Sequence, residues 1–215
     1  MPAPVEDKKT TAVSASNWPV LTRIFDDDVN LAVLERQLPG DVNTFAQALV
    51  AQENHLERRV TVQSWSAAGT LIPETSRSLP GHEDFIADLQ ELLEAYWLLF
   101  NPSAVGLRLH VLDRAMCPRF HTDKVPVRLI TTYLGQATQW LDEASVKRSL
   151  LDRPLPGGAD PHARPERIKA LSAGDVGLFK GEAWIGNEGR GIVHRSPACD
   201  PRNPRVVVTL DWLDC

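Results

Sequence analysis

Apolar spacing divides the chain into two textures. In the first, HEDFIADLQELLEAYWLLF sets Phe85, Leu89, Leu92, Tyr96 and Leu99 three or four residues apart, which predicts a helix with one buried face. Glu83 and Asp84 favour its N-terminus, and Asn101-Pro102 ends it. A shorter helix, TFAQALVAQE, is expected behind a cap at Asp41 or Asn43, and the alternation of RRVTVQSW then reads as a strand. WPVLTRIF and NLAVLERQL have mixed patterns, and Asp26 to Asp28 between them read as a solvated turn.

From about residue 105 the period changes. VGLRLHVLD, VRLITTYLG, TQWL, VGLFK, GIVHRS and RVVVTLDW are short, rich in β-branched and aromatic residues, and separated by Gly, Pro and Asp. With no helices alternating between them they do not predict a parallel doubly wound sheet, and a closed sandwich or barrel is the expected way to hide their edges. LDRPLPGGADPHARPER interrupts the run as a loop, and the longer segment 142–168 has the length of a lid. Residues 1–16, polar, small and aperiodic, are expected to form a disordered leader. The remainder, 17–215, is expected to be one domain, with an α-containing part over 17–104 and a strand-rich part over 105–215.

Composition adds exclusions. A net charge of −5 over 215 residues makes nucleic acid an unexpected partner, and no apolar run is long enough for a membrane helix. Cys117, Cys199 and Cys215 form no C-x-x-C pair, and with no apolar signal region they fit a reducing cytoplasm.

The candidate chemistry begins at His121-Thr122-Asp123. On an extended segment the imidazole and the carboxylate project to the same side and can share an ion. One such triplet among six histidines is weak by itself. A non-haem iron site needs a second histidine, and His194 in GIVHRS is the candidate. Arg205, at the start of the last strand, offers the fixed cation that a dicarboxylate requires at its far end.

In this order the residues resemble the Fe(II)/2-oxoglutarate-dependent oxygenases, and within them the prolyl-hydroxylase-like pattern, over residues 105–213. His121-x-Asp123, RLITTYLG, GQATQWL, LSAGDVGLFKG, His194 and Arg205 follow one another as that pattern requires. The whole chain also resembles a bacterial domain-of-unknown-function family carrying CPRFHTDKVPVRL, TYLG, GDVGLFKG and HRSP, whose members often neighbour zinc-homeostasis proteins.

The resemblance implies an α+β fold, a double-stranded β-helix (jelly-roll or cupin-like barrel) with N-terminal helices packed on it. It implies Fe(II) held by His121, Asp123 and His194, and 2-oxoglutarate as co-substrate, anchored by Arg205 with Tyr133 as a hydrogen-bond donor and Arg128 as an alternative anchor. The activity implied is hydroxylation of a small molecule or a protein side chain. The family often carries a hydroxyl residue two positions after the arginine, where this chain has Val207.

Several residues keep two readings. Cys117 or Cys199 as a thiolate ligand beside His121 and His194 would favour Zn(II) and a metal-homeostasis role for the same site; as buried thiols both are inert. Lys180, Glu182 and Trp184 are expected at the mouth of the barrel, Glu182 in a loop role. Arg195 should point away from the metal face, and His162 has no partner visible in sequence. A purely structural β-domain requires the triad to be accidental, and oligomeric state is not encoded in any motif found.

Overall fold

The computed structural model describes residues 10–151, 160, 162 and 164–213. Its strands are β1 (Thr11–Ala15), β2 (Val29–Leu34), β3 (Leu56–Val62), β4 (Ala104–Leu112), β5 (Val127–Leu134), β6 (Gln139–Leu141), β7 (Ile168–Ala170), β8 (Val176–Lys180), β9 (His194–Arg195) and β10 (Arg205–Leu213). The helices are α1 (Val42–Gln52) and α2 (His82–Phe100), and 3-10 turns occur in several of the connections. None of the described helices is long and apolar enough to cross a membrane.

Seven strands form one sheet in the order β1-β2-β8-β5-β10-β4-β3, and β7-β6-β9 form a second, smaller one. All pairings are antiparallel except β1 with β2.

Alternation along the central strands sends each sheet face to a different core. Leu129 and Tyr133 of β5 and Val206, Val208 and Leu210 of β10 meet Phe45 of α1 and Phe85, Leu89, Leu92 and Tyr96 of α2 in the larger core. Side chains of opposite parity, Ile130 of β5, Phe179 of β8 and Val207 of β10, meet Trp140 and Ile192 in a second core toward the small sheet. Each fully buried Leu or Phe contributes roughly 1.5–3 kcal/mol, so α2 is attached firmly and the sheet it backs is a rigid base for a site on the opposite face.

α2 coincides with its predicted span, and Asn101 ends it in the left-handed conformation (φ 44°). Three expectations are corrected. Residues 11–15 are not leader but the edge strand β1, held by pairing with β2, a contact no local pattern announces; residues 1–9 lie outside the described residues. NLAVLERQL, left unassigned by its mixed pattern, carries all but the first residue of β2, whose six residues are all buried, so a strand covered on both faces shows no alternation. No closed barrel forms among the described residues; two open sheets face one another, and β3 and β1 end the large one.

Candidate metal centre

The triplet lies between β4 and β5 and is held from both sides by backbone. His121 and His194 exchange N–H···O bonds of 3.0 Å in each direction, so the two imidazoles arise from directly opposed residues, with ring centroids 4.7 Å apart. Asp123 is fixed from the turn after β8: Glu182 N–H donates to its carbonyl (2.9 Å), and Gly181 N–H to that of Pro126 (2.8 Å). Gly181 is required there, because a Cβ would sit 2.0 Å from the Val125 carbonyl oxygen.

One ligand atom from each of His121, Asp123 and His194 falls within 4.8 Å of the others. Each imidazole turns Nδ1 to a carbonyl two residues back, Arg119 at 3.0 Å and Ile192 at 3.1 Å, which assigns the ring proton to Nδ1 and leaves the Nε2 lone pair facing inward. His194 Nε2 is 3.3 Å and His121 Nε2 3.9 Å from the Asp123 carboxylate. Asp123 Oδ2 is buried without a hydrogen-bond partner among the described residues. Three acceptors directed at one point, one of them an unpaired buried carboxylate oxygen, fit a cation.

Electrostatics agree with that fit. Burial pushes the Asp123 carboxyl up, but His194, Arg128 and His121 together outweigh it and hold the group well below the usual carboxylate range. Burial, reinforced by His194, pushes His121 down, favouring the neutral imidazole that a metal requires.

A narrow cavity runs from this cluster between the sheets, lined among others by His121, His194, Ile130, Thr138, Arg205 and Thr209. At its far end Arg205 is 1% exposed. Its Nε donates to the Gln136 carbonyl, Nη1 has no partner, and no carboxylate pairs with the guanidinium among the described residues. Burial pushes Arg205 down to about 10. The turn that presents it depends on Gly135 (φ 84°), where a Cβ would lie 2.3 Å from the Pro204 carbonyl oxygen. Thr209 Oγ1, buried and unpaired among the described residues, lines the same cavity.

Of the other named residues, Arg128, Cys117 and Arg195 also line this cavity, against the expectation that Arg195 points away, and the rest are placed elsewhere. Tyr133 is in the large core, its hydroxyl donating to Asp88 Oδ2 at 2.7 Å, on the face of the sheet away from the cavity, so it does not supply the expected donor. Arg128 reaches the cavity, but its nitrogens bond Asp123 and Asp211. Cys117 and Cys199 do not join the ligand group. Burial pushes both thiols up, against the thiolate form expected of a zinc ligand.

Lys180 does not line the mouth. It donates to the Asp26 carbonyl (3.0 Å) and lies over the Trp184 ring, and burial, with Arg190, pushes it down to about 8. Trp184 packs against Phe25 and Phe100, and Glu182 accepts from Gly189 and Gly191 within its turn. Arg195 lies over Phe120 and binds Gln139. His162 is buried and accepts from Lys147 N–H (3.1 Å), while neighbouring Asp160 accepts from Phe120 N–H (2.6 Å), so the long segment is tied to the residue before His121. Residues 152–159, 161 and 163 of the expected lid lie outside the described residues.

Sequence reasoning missed Thr209 and Asp211. Both share the parity of Arg205 along a strand whose alternate positions are Val206, Val208 and Leu210, a signal that was readable.

A family model described as "Protein of unknown function (DUF1826)" matches residues 15–211. No curated protein matches the chain. Among solved structures, the dioxygenase for auxin oxidation from rice aligns with a TM-score of 0.54 at 13% identity, over 95% of this chain and 83% of that one. A Pseudomonas putida prolyl-4-hydroxylase aligns at 0.51 and 11%, over 92% and 98%. A putative oxygenase from Shewanella oneidensis aligns at 0.52 and 12%, over 96% and 90%. At these identities the likeness is one of fold.

Proposed function

The chain belongs to the DUF1826 family, and we propose that it is a non-haem Fe(II)- and 2-oxoglutarate-dependent oxygenase built on a double-stranded β-helix. The observation that carries this reading is that one cavity has two of the three inward-facing ligand residues at one end and, at the other, a buried guanidinium with no carboxylate partner among the described residues. A structural interaction domain has no use for a buried cation without a counter-charge, since desolvating it costs several kcal/mol. The fold shared with a rice auxin dioxygenase and a bacterial prolyl-4-hydroxylase supports the same class.

His121, Asp123 and His194 would hold the iron, leaving three of six positions open. Bound there with 2-oxoglutarate and dioxygen, iron supplies the oxidising power to hydroxylate a C–H bond while 2-oxoglutarate is decarboxylated to succinate. The chain's part is positioning and exclusion of water. Arg205 pairs with the distal carboxylate of the co-substrate, and Thr209 offers a hydroxyl four residues on, where the related pattern places one at the position of Val207. Ile130, Leu112 and Val207 keep the intervening stretch dry. The substrate, a small molecule or a protein side chain, approaches from the side of Met116, Cys117 and Ser196.

Succinate formation tests the proposal. Iron-loaded protein given 2-oxoglutarate and air is expected to release succinate even without substrate, and Asp123→Ala to release none. Tight stoichiometric Zn(II) binding with no succinate would replace the oxygenase reading by the metal-handling one, with zinc on the same three residues and no thiolate.

A further inference from the structure

We propose that Arg128 is a positioning residue for the metal site: its guanidinium occupies one oxygen of Asp123, so that the carboxylate offers a cation only the other. The inference rests on the metal-binding reading above and concerns how many coordination positions remain open.

The arrangement begins with strand register. Arg128 of β5 stands directly opposite Asp211 of β10, and Arg128 Nε and Nη2 both bond the Asp211 carboxylate. Asp211 is 1% exposed and also pairs with Arg108 at 2.9 Å. A planar guanidinium fixed at two points has no freedom left in its third nitrogen. That nitrogen, Nη1, donates to Asp123 Oδ1 at 2.7 Å. A lysine ammonium can meet Asp123 or Asp211 as a point charge but cannot reproduce the fork.

The two oxygens of Asp123 are therefore unequal. A metal at Oδ1 would place two cations on one oxygen. Among the described residues Oδ2 accepts no hydrogen bond, and it lies 3.3 Å from His194 Nε2, so a cation placed between them meets a carboxylate and an imidazole together. One carboxylate oxygen and two imidazoles make three ligands; a carboxylate chelating through both oxygens would take a fourth position and crowd out a co-substrate. Arg128 thus keeps the site open, and its alternative role as co-substrate anchor is set aside, because its donors are committed to the two aspartates.

Co(II) is the probe, titrated into full-length apo-protein, with visible absorption reporting coordination number and a melting curve reporting the fold. Arg128→Gln is expected to weaken Co(II) binding about 10–100-fold, as loss of an outer hydrogen-bond partner does, and to change the visible band. Arg128→Lys restores charge without the fork; it should recover part of the affinity and retain the altered band, and it carries the test if Arg128→Gln does not fold.

Wild-type affinity and spectrum in both variants would overturn the inference. So would unchanged Co(II) binding with lost 2-oxoglutarate affinity, which would make Arg128 an anchor after all. Absence of Asp123-dependent Co(II) binding in the wild type would instead overturn the metal reading, and this inference with it.

Discussion

Two arginines, Arg36 half-buried and Arg205 fully buried, lie on opposite faces of the large sheet, and their surroundings differ. Arg36 is closed in: it bonds both oxygens of Asp88, donates to the Gly174 carbonyl (2.9 Å), and Asp88 also accepts from Tyr133. Arg205 is more deeply placed but, among the described residues, has one carbonyl partner, no carboxylate, and an unpaired Nη1. Buried ion pairs that satisfy one another fasten α2 to the sheet. A buried cation left open has no structural return, which is the ground for proposing that an anion binds there.

Paired substitutions sharpen the contrast. Arg36→Met leaves Asp88 buried and uncompensated, and should cost about 3–5 kcal/mol of stability by denaturant unfolding, with Co(II) affinity of the folded fraction unchanged. Arg205→Met, removing a cation that has no carboxylate partner among the described residues, should leave apo stability unchanged or higher. It should weaken 2-oxoglutarate binding by about 10–100-fold, the loss of one charge-assisted pair of roughly 1.5–3 kcal/mol. If the two variants behaved alike in both assays, the distinction between a structural and a functional arginine would fail.

Tyr133→Phe removes one hydrogen bond to Asp88 and should cost about 1 kcal/mol. Its 2-oxoglutarate affinity should equal that of the wild type; a tenfold loss by calorimetry would return Tyr133 to the co-substrate site. Thr209→Val should have the reverse profile, a several-fold weaker co-substrate with an unchanged melting temperature.

The smallest effect expected is on pH. Burial lowers both His121 and His110 from the usual histidine value, so the unfolded chain takes up protons on these groups before the folded one does. Their stabilising contribution is present above the unfolded value of about 6.5 and is lost as pH falls toward the folded values. The apo melting temperature should therefore decline modestly from neutral pH into the mildly acidic range. A flat profile would show that neither histidine is held neutral by burial.

How much of this was legible in sequence follows from the range of each interaction. α2 was readable from end to end because helical period, acidic first turn and Asn-Pro stop are all local. β1 was not, because five residues of mixed exposure become a strand only by pairing with β2. His121, Asp123 and His194 could be named from one triplet and a strand-borne histidine, while their proximity depends on a backbone bridge 73 residues apart in number, from 121 to 194. Arg205 was named by its place in the order of features, and the structure buries it beside the same cavity. Tyr133 was misassigned because β5 sends alternate residues to opposite cores, and sequence alone does not say which parity faces the cavity. Arg128, on the cavity side, was named for the wrong partner, since Asp211 lies across the sheet.

The central claim, that the inward-facing triad and the open arginine serve one bound pair of metal and co-substrate, is tested most directly by anaerobic titration of Fe(II) and 2-oxoglutarate into wild type, Asp123→Ala and Arg205→Met, following the visible charge-transfer band of the chelate. The account predicts a saturable band in the wild type, none in Asp123→Ala, and one requiring about 10–100-fold more 2-oxoglutarate in Arg205→Met. A wild type that binds iron but develops no band at any 2-oxoglutarate concentration would contradict it.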